Sequence, residues 1–164
     1  MSGEELSLEK LLVYEPSVSP ESLYSVLRQC SKGFKLFSTI YAAVKLKLFD
    51  HLEPPKSAEE LSEVLGIDPY LVWCICKILA DAGLVAEENG VYKATEVSKS
   101  YLRTNSPLFQ GNVLDNLMKS FEVWSKLAEA LKNPVEVDVE EFFKDHIHVM
   151  ASEALCGELQ RTVR

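Results

Sequence analysis

Between Ser57 and Ala94 the sequence carries a dense run of folding signals in the order helix, tight turn, helix, two-strand hairpin. Ser57-Ala-Glu-Glu60 is a capping box, in which the serine caps the amide three residues on and Glu60 reaches back. Leu61, Val64 and Leu65 give the short helix its apolar face, and Gly66 ends it. Asp68-Pro69 opens the next helix with a capping acid and a proline at the first helical position, and Gly83 closes it. Leu84–Glu87 and Val91–Ala94 then flank Glu88-Asn89-Gly90. Asn-Gly is the strongest short hairpin signal, because both central residues take positive φ. This order is that of a winged helix, a shape usually associated with reading DNA. The second helix, however, is Pro69-Tyr-Leu-Val-Trp-Cys-Ile-Cys-Lys-Ile-Leu-Ala-Asp-Ala82, and its only charges, Lys77 and Asp81, cancel. A helix in a major groove needs hydrogen-bonding side chains for base edges and cations for phosphates. This surface suits packing against protein.

Charge points the same way. The 164 residues hold 17 Lys plus Arg against 25 Asp plus Glu, a net charge of −8. Such a balance opposes phosphate neutralisation, the main source of non-specific DNA affinity. The length suits one domain with or without an appendage, and it supports a substantial core. Met1-Ser-Gly-Glu-Glu is acidic with no apolar segment behind it, so no secretory signal is expected. No stretch approaches the roughly 18 apolar residues of a membrane span. A cytoplasmic protein without membrane contact is therefore expected. Its four cysteines, Cys30, Cys74, Cys76 and Cys156, are read as reduced and mostly buried. Cys74 and Cys76 sit on nearly opposite sides of one helix, which prevents a bridge or a shared metal.

Long helical patterns flank this centre. Residues 1–18 read as a short helix or an arm. Ser19-Pro20-Glu21 is a helix start. Leu23, Leu27, Cys30, Phe34, Phe37, Tyr41, Val44 and Leu48 then alternate spacings of four and three, a heptad seam. Gly33 marks a bend or a break within it, and Pro54-Pro55 ends the segment. Thr95 caps a short helix running to Leu102. Ser106-Pro107 opens a second long pattern through Leu114, Leu117, Phe121, Trp124, Ala128 and Leu131, which stops at Asn133-Pro134. Residues 139–163 read as a helix with Phe143, Ile147, Met150 and Ala154 on one face. The fold class is mainly α: a winged helix elaborated by long dimerisation helices. The expected organisation is an N-terminal arm (1–18), a winged-helix dimerisation domain (19–104) and a helical extension (105–164). The two seams and the apolar second helix offer more apolar face than one copy covers, so a twofold homodimer is expected.

Candidate chemistry is sparse. Glycines at 3, 33, 66, 83, 90, 111 and 157 form neither GxGxxG nor a phosphate-binding loop. A complete dinucleotide or S-adenosylmethionine site of the usual α/β type is therefore not expected within this chain. His146 and His148 lie two apart on a helix, where a zinc pair wants a spacing of four, so no metal is expected. His51 follows Asp50 at a helix end and complements its dipole. Glu87-Glu88 and Glu140-Glu141 read as solvated, and no residue is named as catalytic. Met118, Phe121 and Trp124 form a stripe that reads as core or as the lining of an apolar small-molecule pocket.

Several stretches, in order over residues 34–132, resemble the N-terminal dimerisation domain of the small-molecule O-methyltransferases. They are Ile40-Tyr-Ala-Ala-Val-Lys-Leu-Lys-Leu-Phe-Asp-His51, Ser57-Ala-Glu-Glu-Leu-Ser62, Leu79-Ala-Asp-Ala-Gly-Leu-Val85, Asn89-Gly-Val-Tyr-Lys-Ala-Thr95 and Ser98-Lys-Ser-Tyr-Leu102. Leu155-Cys-Gly-Glu-Leu-Gln160 lies where such enzymes lead into their catalytic domain. The resemblance implies a winged helix wrapped by extra helices, two copies interlocked, and a contribution to the acceptor-substrate pocket. It implies that Met118, Phe121, Trp124 and Met150 fall in regions facing that substrate. It also implies an S-adenosylmethionine-binding domain beyond this chain.

The leading expectation is thus a dimerisation and acceptor-binding module of an S-adenosylmethionine-dependent O-methyltransferase acting on a small molecule. The chain is expected to stop before the cofactor-binding domain, to bind no cofactor itself and to be inactive alone. The alternatives are a winged-helix transcription regulator and a standalone ligand-binding dimer. Neither nucleic acid nor membrane is expected as a partner.

Overall fold

The computed structural model describes residues 17–132 and 139–157, with the backbone alone for residues 139–145. The chain divides into two compact units, residues 1–35 and 36–164. In the first unit, helix α1 (Glu21–Lys45) begins where Ser19-Pro20 directs it, with the Ser19 hydroxyl accepting from the Glu21 amide at 3.3 Å. Arg28 pairs with Glu21 one side-chain reach down the helix. Leu23, Leu27, Cys30 and Phe34, the first half of the seam, are all exposed. Gly33 does not break α1, which continues to Lys45.

The second unit is built around the winged helix. Ala43 and Val44 are buried at the end of α1. Lys47 then takes a left-handed conformation (φ 55°) and turns the chain into a 3-10 turn, Leu48–His51, which buries Leu48 and Phe49. Asp50 holds this turn by accepting from the Thr104 amide at 2.9 Å and the Thr104 hydroxyl at 2.6 Å. Strand β1 (Lys56–Ser57) leads into α2 (Ala58–Leu65). The capping box forms as expected: Ser57 Oγ accepts from the Glu60 amide, and the Ser57 amide donates to Glu60 at 2.7 Å.

Helix α3 (Pro69–Asp81) is capped by Asp68, whose carboxylate accepts from the amides of Tyr70 and Leu71. Val72, Cys76 and Leu79, spaced four and three, are its buried positions. Strands β2 (Val85–Glu88) and β3 (Val91–Ala94) meet through Asn89 (φ 52°) and Gly90 (φ 79°), the two positive φ values the hairpin requires. The sheet is antiparallel in the order β1-β3-β2. Sequence signals did not show β1. Its residue Ser57 pairs with Val91 while capping α2, so one short segment serves both elements. Tyr92 on the central strand is buried among Leu48, Phe49, Leu52, Leu61, Val72 and Leu79. Each such side chain contributes roughly 1.5–3 kcal/mol on burial. Thr95 caps α4 (Glu96–Tyr101) and donates to the Gly83 carbonyl at 3.1 Å.

The C-terminal part departs from expectation in three ways. Ser106-Pro107 does not open a helix: Ser106 Oγ donates to the Ser100 carbonyl and accepts from the Leu108 amide, which makes it a turn residue. Helix α5 (Gly111–Ser125) starts later, at a glycine against which the Phe109 ring packs so closely that a Cβ has no room. The pattern then breaks at Lys126 and resumes as α6 (Leu127–Lys132). Finally, α7 (Val139–Leu155) buries Val149, whereas Ile147 and Met150 on the expected face are exposed. Phe143's side chain and residues 158–163 lie outside the described residues.

The cysteines also differ from expectation. Cys76 alone is buried, Cys74 and Cys156 are half-buried, and Cys30 is exposed. Cys74 is about 200° around α3 from Cys76, so one sulfur enters the core as the other leaves it.

Candidate functional site

The outward face of α3 is apolar. Leu71 is 52% exposed and Trp73 42%, with Tyr70 and Ile78 exposed alongside. Tyr70 and Trp73 stack at 5.8 Å with 21° between their planes, as i, i+3 spacing allows. Lys77 Nζ lies 5.9 Å from the Trp73 ring centre and 2.6 Å from a Glu87 carboxylate oxygen. The Glu87 hydrogen bond holds the Lys77 ammonium above its ordinary pKa. Lys93 pairs with Glu88 at 3.3 Å. Glu87 and Glu88 are exposed, as expected, and each also pairs with a lysine. The lysine of α3 and the lysine of the wing both face carboxylates, which blunts the positive field a nucleic acid would need.

A second feature lies between α5 and α7. Amides of the segment entering α5 fasten the two helices. Gln110 Nε2 donates to Cys156 Sγ at 2.8 Å. Asn112 Nδ2 donates to the Ser152 hydroxyl at 2.7 Å and the His148 carbonyl at 3.0 Å. Beside these bonds opens a cleft of about 230 Å³ lined by Asn112, Asp115, Asn116, Lys119, His148 and Val149. A neighbouring cleft of about 310 Å³ reaches Lys45, Lys47, Thr104 and Phe109 and shares Asn112 and Asp115 with the first. Asp115 Oδ1 lies 2.6 Å from Lys45 Nζ, and that hydrogen bond raises the Lys45 pKa. Lys45 also sits 5.2 Å from the Tyr41 ring centre.

The residues singled out from sequence lie elsewhere. Met118, Phe121 and Trp124 follow one another at spacings of three, on the side of α5 turned away from Asn112, Asp115, Asn116 and Lys119. Met118 is half-buried, and Phe121 meets Phe37 at 5.0 Å in a tilted contact. Phe37 in turn stacks on Tyr41 at 6.0 Å. Trp124 is 65% exposed. Met150 is exposed on α7, about a third of a turn from buried Val149. None of the four lines either cleft. Among the described residues, no group of three His, Cys, Asp or Glu side chains could hold a metal. His148 instead lines the first cleft. Sequence reasoning missed Asn112, Asp115 and Asn116. Their one signal was a polar stripe at i, i+3, i+4 and i+7 with Lys119, the usual mark of a solvated face.

Comparisons with known proteins agree with this fold. Residues 6–104 match the O-methyltransferase dimerisation domain. An uncharacterised protein of Methanocaldococcus jannaschii is 31% identical over 160 residues, covering 93% of this chain and 43% of its own. An O-methyltransferase family protein from Burkholderia thailandensis superposes with a TM-score of 0.66 at 20% identity, over 90% of this chain and 44% of that one. Human N-acetylserotonin methyltransferase in complex with SAM gives a TM-score of 0.61 at 23% identity, over 91% and 47%. The chain thus spans less than half the length of these relatives. With the family profile matched across all of α1 and the winged helix, the chain belongs to the O-methyltransferase dimerisation-domain family.

Proposed function

We propose that this chain is the dimerisation and acceptor-binding module of an S-adenosylmethionine-dependent O-methyltransferase acting on a small molecule. The observation that carries the reading is the apolar surface that one copy leaves uncovered. It comprises Leu23, Leu27 and Phe34 on α1, and Tyr70, Leu71 and Trp73 on α3. A self-complementary twofold contact covers such faces without a second gene product. On this reading residues 1–18 are an arm, 19–104 the dimerisation domain and 105–164 the extension leading toward a catalytic domain. Met118, Phe121, Trp124 and Met150 contact the acceptor once that domain closes over them. The module's part in the reaction is to orient the acceptor and exclude water.

The cofactor supplies the methyl group. This chain's residues do not suit it: Gly66, Gly83 and Gly90 serve helix ends and the hairpin, and Gly111 is filled by the Phe109 ring. Cofactor binding is therefore assigned to the rest of the enzyme, and the chain alone is expected to transfer no methyl group. The reading names no nucleic acid as partner, and the pairing of Lys77 and Lys93 with carboxylates supports it. Among the described residues no helix is long and apolar enough to cross a membrane.

Light scattering at micromolar concentration tests the assembly. The expected mass is twice the 18.4 kDa of one chain. A compact monomer would overturn the reading.

A further inference from the structure

We infer that the cleft between α5 and α7 is a binding site for a small, neutral molecule bearing a hydroxyl or amide group. Three observations carry this. First, the cleft is held open by structure and not by chance. Asn112 uses its amide nitrogen to fasten the Ser152 hydroxyl and the His148 carbonyl, and Gln110 fastens Cys156. These bonds fix the spacing of the two helices before any ligand arrives, which lowers the ordering cost of binding.

Second, the cleft presents polar groups without protein partners. Among the described residues, the Asn116 amide and the His148 imidazole make no side-chain hydrogen bond, yet both line the cleft. Asn116 is half-buried, so its amide is partly removed from water with nothing in exchange. A carboxamide carries both donor and acceptor atoms, and so does a neutral imidazole. Together they match a group that also gives and takes a hydrogen bond, which is what a hydroxyl or an amide does. Buried Val149 supplies an apolar floor for the body of such a molecule.

Third, the charges at the cleft are balanced. Asp115 stands in the cleft with its carboxylate already bound to Lys45, and Lys119 stands one helical turn further on. With Asp115 engaged by Lys45 and charges of both signs on the lining, the cleft offers neither sign of ion a one-sided field, which leaves hydrogen bonding to select the ligand. The volume of about 230 Å³ lies under the roughly 300–1,000 Å³ of drug-sized sites, which limits the ligand to about one ring. The site is separate from Met118, Phe121 and Trp124, which lie on the other side of α5.

The test is a titration of the full ¹⁵N-labelled chain with 3-hydroxybenzamide, followed by amide shifts. Its anionic counterpart 3-hydroxybenzoate and apolar toluene are the comparison probes. Saturable shifts at residues 112–119 and 148–149 are expected for the benzamide, with weaker binding of the other two. Asn116→Ala and His148→Ala should each weaken binding about fivefold or more, the loss of one neutral hydrogen bond. His148→Gln, which keeps a donor and an acceptor, should restore most of it. The inference is overturned by shifts confined to Phe121 and Trp124, by no saturation, by equal binding of benzoate or toluene, or by indifference to the alanine variants. The mass of each sample is read in parallel. A dimer that does not bind overturns the cleft alone, and a monomer that binds overturns the proposed assembly alone.

Discussion

Single residues set the winged helix at a few points where chemistry and backbone coincide. Ser57 is one, since it caps α2 with its side chain and pairs with Val91 through its backbone. Ser57→Ala should cost about 1 kcal/mol, within the 0.5–2 kcal/mol range for lost caps, and lower the urea midpoint without changing its slope. Cys76 is another. Burial pushes its thiol from the ordinary 9.0 up to about 12, with the Glu87 carboxylate adding to the effect. The sign follows from proton counting. Below pH 9 both folded and unfolded chains hold the proton, and the stability is fully present. Between 9 and about 12 the unfolded chain has released a proton that the folded chain retains, so stability falls as pH rises. Cys76→Val should flatten that part of the melting-temperature profile relative to the parent. The lysines titrate in both proteins, so the difference reports the thiol together with its charge coupling to Tyr92. A profile unchanged by the substitution would show that Cys76 does not carry the slope.

At the scale of elements, α3 carries apolar side chains on both its core side and its surface side. Leu79 is fully buried on the core side, so Leu79→Ala should cost 2–5 kcal/mol by thermal or urea unfolding, the usual range for such a cavity. Removing the exposed Lys77–Glu87 pair with Glu87→Ala should change stability by less than about 1 kcal/mol. Where one element's signals are local, the sequence was sufficient. Asp68-Pro69, Ser57 with Glu60, and Asn89-Gly90 each act within a few residues, and each was found where expected. Where a partner decides, the local signals misled. Ser106-Pro107 has the grammar of a helix start, but Ser106 spends its hydroxyl on Ser100 and Leu108. Strand β1 is two residues long and exists only because β3 lies beside it. On α7 the apolar stripe suggested the packed face. The packing runs instead through Val149 and the polar contacts of Ser152 and Cys156 with Asn112 and Gln110. The cleft residues were hidden for the same reason: a polar stripe on one helix says nothing until a second helix lies against it.

At the scale of the whole molecule, the central issue is how much apolar surface a single copy leaves in water. Scattered exposed hydrophobes are ordinary on any protein. Here they are ordered along helices. Leu71, Trp73 and Ile78 share α3 with the stacked Tyr70, and Leu117, Phe121, Trp124 and Leu131 extend along α5 and α6. Ordered apolar surface of this kind marks interaction sites. If a second copy covers it, folding and association are linked, and the melting temperature must rise with protein concentration. A hundredfold dilution from high micromolar should lower it measurably, and sedimentation should show the dimer giving way as it does. Leu71→Glu separates the two contributions. Leu71 lies on the outward face, so the charge costs the folded monomer little. At a twofold contact the same charge is placed near its own copy and loses its water. The variant is expected to keep the parent's far-ultraviolet circular dichroism, sediment as a monomer and melt at a temperature independent of concentration. A Leu71→Glu chain that remains a dimer would remove the α3 face from the contact and leave the α1 seam to hold it. A parent whose melting temperature ignores dilution, at monomer mass, would remove the dimer altogether.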